Sequence, residues 1–205
     1  MIFRAGNKIL ESEKERNLYT KFFAGYYLNE LISGYSERVE KLSEYTSEKC
    51  GINIRLETPL VSFDNHAYLL VNDSDKGEFA DILLHDMNSR IIIAIEAKYL
   101  SNWDGNNDLR NNIKRISLIK EKYPNYTLIF MLLVSKTKWE AVKKMKKHKN
   151  SNYIKYINEY AKNVAVLFWE DLVNFCSDDS VKNYMHYRLS LVNASKKLRY
   201  PKLGT

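Results

Sequence analysis

Asp81, Glu96 and Lys98 are the residues of this chain whose types and spacing could do chemistry. Glu96-Ala97-Lys98 closes a β-branched apolar run, Ile91-Ile92-Ile93-Ala94-Ile95, which is too short for most helices and reads as a strand. Upstream, Asp81 precedes Ile82-Leu83-Leu84, a second short apolar run. Between the runs, Asp86-Met87-Asn88-Ser89 carries side chains that mimic turn hydrogen bonds. A turn centred between Met87 and Asn88 pairs Asp81 with Ala94 and sets it diagonal to Glu96, on the same face, where side chains are ~7–8 Å apart. Glu96 and Lys98 share that face by strand alternation.

Two carboxylates and an ammonium at the end of an apolar hairpin are costly to bury unless they are paired or hold a metal. Carboxylate oxygens suit a hard cation such as Mg²⁺, or Mn²⁺ as its substitute, which takes one or two protein carboxylates and keeps several waters. Lys98 could orient or help deprotonate a water at such an ion, or stabilise charge developing on a phosphate. That set suits phosphodiester hydrolysis. The plainer alternative is a structural ion pair on a half-exposed strand.

Asp81 followed by Glu96-Ala97-Lys98 resembles the PD-(D/E)XK nuclease superfamily, whose pattern is an acid at the start of the second core strand and a (Asp/Glu)-x-Lys triplet late in the third. Ala80 stands where that pattern has its proline. The resemblance implies a Mg²⁺-dependent nuclease of restriction-endonuclease-like fold, with Asp81 and Glu96 holding the metal and Lys98 assisting the attacking water. It also implies a further acid from a helix before the first strand, for which Glu15 and Glu30 are available. Glu57 could face the site from the first strand, and Glu78 could add charge beside Asp81. Each of these four acids has the alternative of an ordinary capping or solvated glutamate.

The chain has 205 residues, enough for one domain with a full core, and 45% of them are apolar, as in globular proteins. No apolar run approaches the ~20 residues of a membrane helix, and the N-terminus becomes charged too early for a secretory signal. Cys50 and Cys176 lie in unrelated contexts and suggest reduced thiols in a cytoplasm. Four histidines show no ligand spacing. The net charge of +7 fits a polyanionic partner such as nucleic acid, or reflects no more than a compositional enrichment in Lys and Asn.

In chain order, Ser12 and Glu15 form a capping box for a first helix whose apolar face includes Leu18, Phe22, Tyr26 and Leu31, ending at Gly34. A second helix spans about 36–49. Strands follow near 52–57 and 66–71, then the hairpin. A helix to about Tyr123 offers Arg110 and Lys114, which by the resemblance would face the scissile phosphate. Thr127–Val134 is apolar on both faces, the mark of a covered central strand. A lysine-rich amphipathic helix then carries Lys136, Lys138, Lys143, Lys144, Lys146 and Lys147, suited to a phosphate backbone or simply to water. Val164–Phe168 is another strand, Trp169–Phe175 a short helix, and the last helix starts near Asp179 with Val181, Tyr184, Met185, Leu189 and Val192 inward.

The expected architecture is α/β: a mixed β-sheet flanked by helices, with N-terminal helices over 1–50, a catalytic core over 51–170, and C-terminal helices with a basic tail over 171–205. No Gly-rich phosphate loop is present. The leading expectation is a DNA nuclease of a bacterial defence, restriction or mobile-element system, acting as a homodimer or as a subunit of a larger effector. The alternative is an inactive nuclease-fold subunit that binds nucleic acid within a larger complex.

Overall fold

Two strands decide the middle of the molecule. Ile91–Lys98 (β3) and Thr127–Val134 (β4) lie side by side in parallel, and both bury apolar side chains on both faces. Ile91, Ile93 and Ile95 of β3 with Ile129, Met131 and Leu133 of β4 enter one core. Ile92 and Ala94 with Leu128, Phe130 and Leu132 enter the other. A sheet covered on both sides needs helices on both sides. The computed structural model describes residues 15–66, 78–98, 116–137, 139–140 and 163–194. The side chains of some residues at element ends, Glu15, Glu78 and Lys98 among them, fall outside that description.

The sheet has five strands in the order β1-β2-β3-β4-β5. Leu60–His66 (β1), Glu78–Asp86 (β2) and β3 form an antiparallel meander, and Asn163–Phe168 (β5) continues the parallel side beyond β4. The protein is therefore a mixed α/β structure with a mixed sheet between helices. The first core is covered by Glu15–Phe22 (α1), Tyr35–Cys50 (α2), and two C-terminal helices labelled below. Helical residues 116–122 (α3) cover the second through Ile116 and Ile119. The C-terminal pair is Trp169–Asn174 (α4) and Asp179–Ala194 (α5), the latter capped by Asp178, whose Oδ1 accepts from the N–H groups of Ser180 and Val181. No helix among the described residues is long and apolar enough to cross a membrane.

Several expectations need correction. The first helix stops at a π-helical turn, Phe23–Tyr27, not at Gly34. Arg38 explains the early stop. Its guanidinium, 2% exposed, donates to the carbonyls of Tyr27, Asn29, Ile32 and Ser33, and lies 5.0 Å from the Tyr26 ring centroid. A continuing helix would need the Tyr27 carbonyl for itself. Leu31 is consequently 96% exposed. Gly34, at φ 78°, turns the chain into α2, and Gly51, at φ 67°, ends it. On α5, Met185 and Leu189 are buried as expected, but Tyr184 is 40% exposed.

The expected strand at 52–57 is extended chain without a strand partner. Its N–H groups go to helix side chains: Ile54 donates to Ser47 Oγ and Leu56 to Ser43 Oγ. The strand expected at 66–71 lies, beyond His66, outside the described residues, and β1 begins at Leu60 instead. At the other end of the segment, Glu57 and Thr58 donate to Oδ2 of the buried Asp86, whose Oδ1 accepts from Ser89. Asp86 thus ends β2 as an acceptor for three N–H groups and is more than a turn residue. His85 beside it is packed against the edges of Tyr123 and Tyr126, as an ordinary packing histidine.

The turn occupies Met87–Arg90, with Arg90 at φ 54°, so the hairpin is centred between Asn88 and Ser89. That is one residue later than expected, which slides each cross-strand partner by two; the faces alternate regularly from Ile82 to Leu84, but Ala80 and Ile82 enter opposite cores.

Burial alone would raise the Asp86 carboxyl, but the bonds from Ser89, Glu57 and Thr58 outweigh it and its pKa is lowered. A lowered folded-state pKa contributes stability that is present above about pH 4 and is lost as pH falls through the folded value. Asp86→Asn, which sets an amide N–H₂ against one of these donors, should cost about 2–4 kcal/mol at pH 7. It should also flatten the acid limb of the stability curve, and urea melts from pH 7 to pH 3 check both. Ser43→Ala should cost about 1–3 kcal/mol by orphaning the buried Leu56 N–H, read in the same melts.

Candidate active site

The β2–β3 ladder runs from Asp86↔Ile91 to Ile82↔Ile95. By register the next pair would be Asp81 and Glu96, directly opposite and not diagonal, but the pairing stops at Ile82. At that step the ladder is replaced by a side chain: Asp81 Oδ2 accepts the Ala97 N–H at 2.7 Å. Its Oδ1 lies 3.5 Å from the Tyr19 hydroxyl, which donates from α1. The carboxylate therefore bridges two strands and a helix. Tyr19 is positioned by stacking on Phe63 of β1, with centroids 5.9 Å apart and planes at 20°, and Phe63 is paired in turn with Ile82.

Glu96 is half-buried and continues the strand face of Ile92 and Ala94. Beyond it β3 remains paired with β4, Glu96 with Leu132 and Lys98 with Val134. Asp81 and Glu96 are both half-buried where the hairpin ladder ends, Glu96 on the strand face of the second core and Asp81 bonded to Tyr19 of α1 over the first, and Lys98 follows two residues along β3. The Lys98 side chain is outside the described residues.

The acids proposed as accessories divide by position. Glu57 is exposed and its backbone is tied to Asp86, at the far end of β2, about 17 Å along the strand from Asp81. Glu57 does not join Asp81, because the segment at 52–57 is held by α2 and Asp86. Glu30, also exposed, lies between the π-helical turn and α2. Glu15 starts α1 one helical turn before Tyr19, and Glu78 starts β2 opposite His66. Arg110, Lys114, Lys138, Lys143, Lys144, Lys146 and Lys147 fall outside the described residues.

Lys136 is described, and it is engaged within the protein. Its Nζ donates to Asp171 Oδ1, its N–H to both carboxylate oxygens of Glu170, and its ammonium lies 5.8 Å from the Phe168 ring centroid. Asp171 also accepts from the Tyr45 hydroxyl at 2.7 Å. Burial would raise the Asp171 carboxyl, but Lys136 and Tyr45 outweigh it and lower the pKa. This polar group follows the C-terminal ends of β4 and β5, about 10 Å from β3 across two strand spacings. It thus flanks the end of the sheet that carries Glu96, the end at which open α/β sheets commonly bind ligands. Sequence reading missed Tyr19, Tyr45, Glu170 and Asp171. Tyr19 at one turn's spacing from Glu15 was the one available signal.

No group of three or more His, Cys, Asp or Glu suited to a metal occurs among the described residues. The donor set at the strand opening is two carboxylates, which fits a hydrated Mg²⁺ or Mn²⁺ and does not fit a zinc cage. No family model matches the chain, and no curated protein or solved structure matches it either.

Proposed function

We propose that this protein is a metal-dependent nuclease of restriction-endonuclease-like fold, acting on DNA. The observation that carries the reading is the seat of Asp81: a carboxylate that takes the Ala97 N–H where the hairpin ladder ends, beside a Glu-x-Lys triplet on the adjoining strand. An antiparallel β1-β2-β3 meander continued in parallel by β4 supports the fold assignment.

In this reading Asp81 and Glu96 hold Mg²⁺, with Mn²⁺ as a substitute. Such an ion, when bound, acidifies water and polarises a phosphate. Asp81 supplies one oxygen donor while its Oδ2 is anchored on the Ala97 N–H, so the donor is fixed before any ion arrives. Glu96 supplies the second from a strand buried up to Ile95. Lys98 holds an ammonium beside the attacking water, orienting it and offsetting the charge that develops on the phosphate. The +7 net charge draws the polyanion to the surface. A nuclease of this size and charge would suit a defence, restriction or mobile-element system.

Supercoiled plasmid and single-stranded RNA, incubated with Mg²⁺ or Mn²⁺, test the reading. DNA cleavage is expected, reduced roughly 100-fold or more by Asp81→Ala, Glu96→Ala or Lys98→Ala. Cleavage that persists in both Asp81→Ala and Lys98→Ala removes the reading. Salt-sensitive DNA binding without cleavage, unaffected by Glu96→Ala, identifies a binding subunit instead.

A further inference from the structure

The Tyr19 hydroxyl is the group outside the proposed triad that touches it. Tyr19 is 1% exposed, and α1 is pinned on either side of it by the buried Leu18 and Phe22. Its ring is stacked on Phe63, so the direction of the phenol is set by packing on β1. An ionised carboxylate can only accept, so Tyr19 is the donor to Asp81 Oδ1. At 3.5 Å the contact is long for O–H···O.

We propose that Tyr19 is a positioning residue for Asp81: the phenol directs Oδ1 while the Ala97 N–H holds Oδ2, so a helix and a strand jointly set the carboxylate's orientation at the opening. The role as an aid to metal binding rests on the nuclease reading above, whereas the orientation of the carboxylate does not. If the bond existed only to satisfy a buried phenol, its loss would leave Asp81 and Ala97 as they are.

Tyr19→Phe keeps the ring stack and removes only the donor. Tyr26→Phe is the matched control, since its hydroxyl serves Ser177 and Asp178. Amide exchange by NMR without metal reads the Ala97 N–H against Ile93 in the same strand. Titration calorimetry reads Mn²⁺ binding.

In Tyr19→Phe, Ala97 should exchange about three- to tenfold faster with Ile93 unchanged, and Mn²⁺ should bind about three- to tenfold more weakly, the scale of losing one long hydrogen bond. Tyr26→Phe should move neither. Unchanged Ala97 exchange overturns the assignment, as does an unchanged Mn²⁺ affinity in a protein that binds the ion. If the unsubstituted protein shows no saturable Mn²⁺ binding, the nuclease reading falls and Ala97 exchange alone decides the role of Tyr19.

Discussion

The bond from the Ala97 N–H to Asp81 Oδ2 is the constraint on which the site depends. A strand's N–H must be paired once it is covered, and here a side chain pairs it where a backbone carbonyl otherwise would. The substitution does two things. It releases β2 from β3 at the point where Glu96 begins, and it leaves a carboxylate spanning the release. The apolar pairs behind it, Ile82 with Ile95 and Leu84 with Ile93, keep the hairpin closed up to that point, so the opening has a fixed edge.

The remainder of the fold supplies the frame for that edge. β4 holds the far side of β3 through Lys98, so β3 stays extended after β2 has let go. β1 holds β2 on its other side and carries Phe63, on which Tyr19 rests. The first helix is held against the sheet by an aromatic group in which Phe22 and Phe23 meet Trp169 at the start of α4. The first described helix and α4 thus share one core.

What was legible in the sequence was the part governed by periodicity. Thr127–Val134 reads as a covered strand because Leu128 to Val134 is apolar throughout, and the structure has it there. Tyr35–Cys50 reads as a helix between two glycines, and those glycines turn the chain with positive φ. The hairpin was legible from its turn residues, but a shared face for Asp81 and Glu96 was not, since Ala80 and Ile82, two residues apart, enter opposite cores and break the alternation at Asp81. Nor was the exact partner, since Met87–Arg90 makes a turn whose residues have no unique signature. Residues 52–57 were misread because an alternating extended segment looks like a strand whether its N–H groups meet a neighbouring strand or the hydroxyls of Ser43 and Ser47. The early end of α1 was hidden for a similar reason: its cause is Arg38, which lies in the next helix.

That guanidinium has a consequence for the segment between the first two helices. Residues 28–34 take their shape from a group lying outside them, through the carbonyls of Asn29, Ile32 and Ser33. The conformation is therefore not portable: the same seven residues grafted onto another scaffold would arrive without the part that moulds them. A lysine, with one compact ammonium in place of a planar fork, could not span the same set of carbonyls.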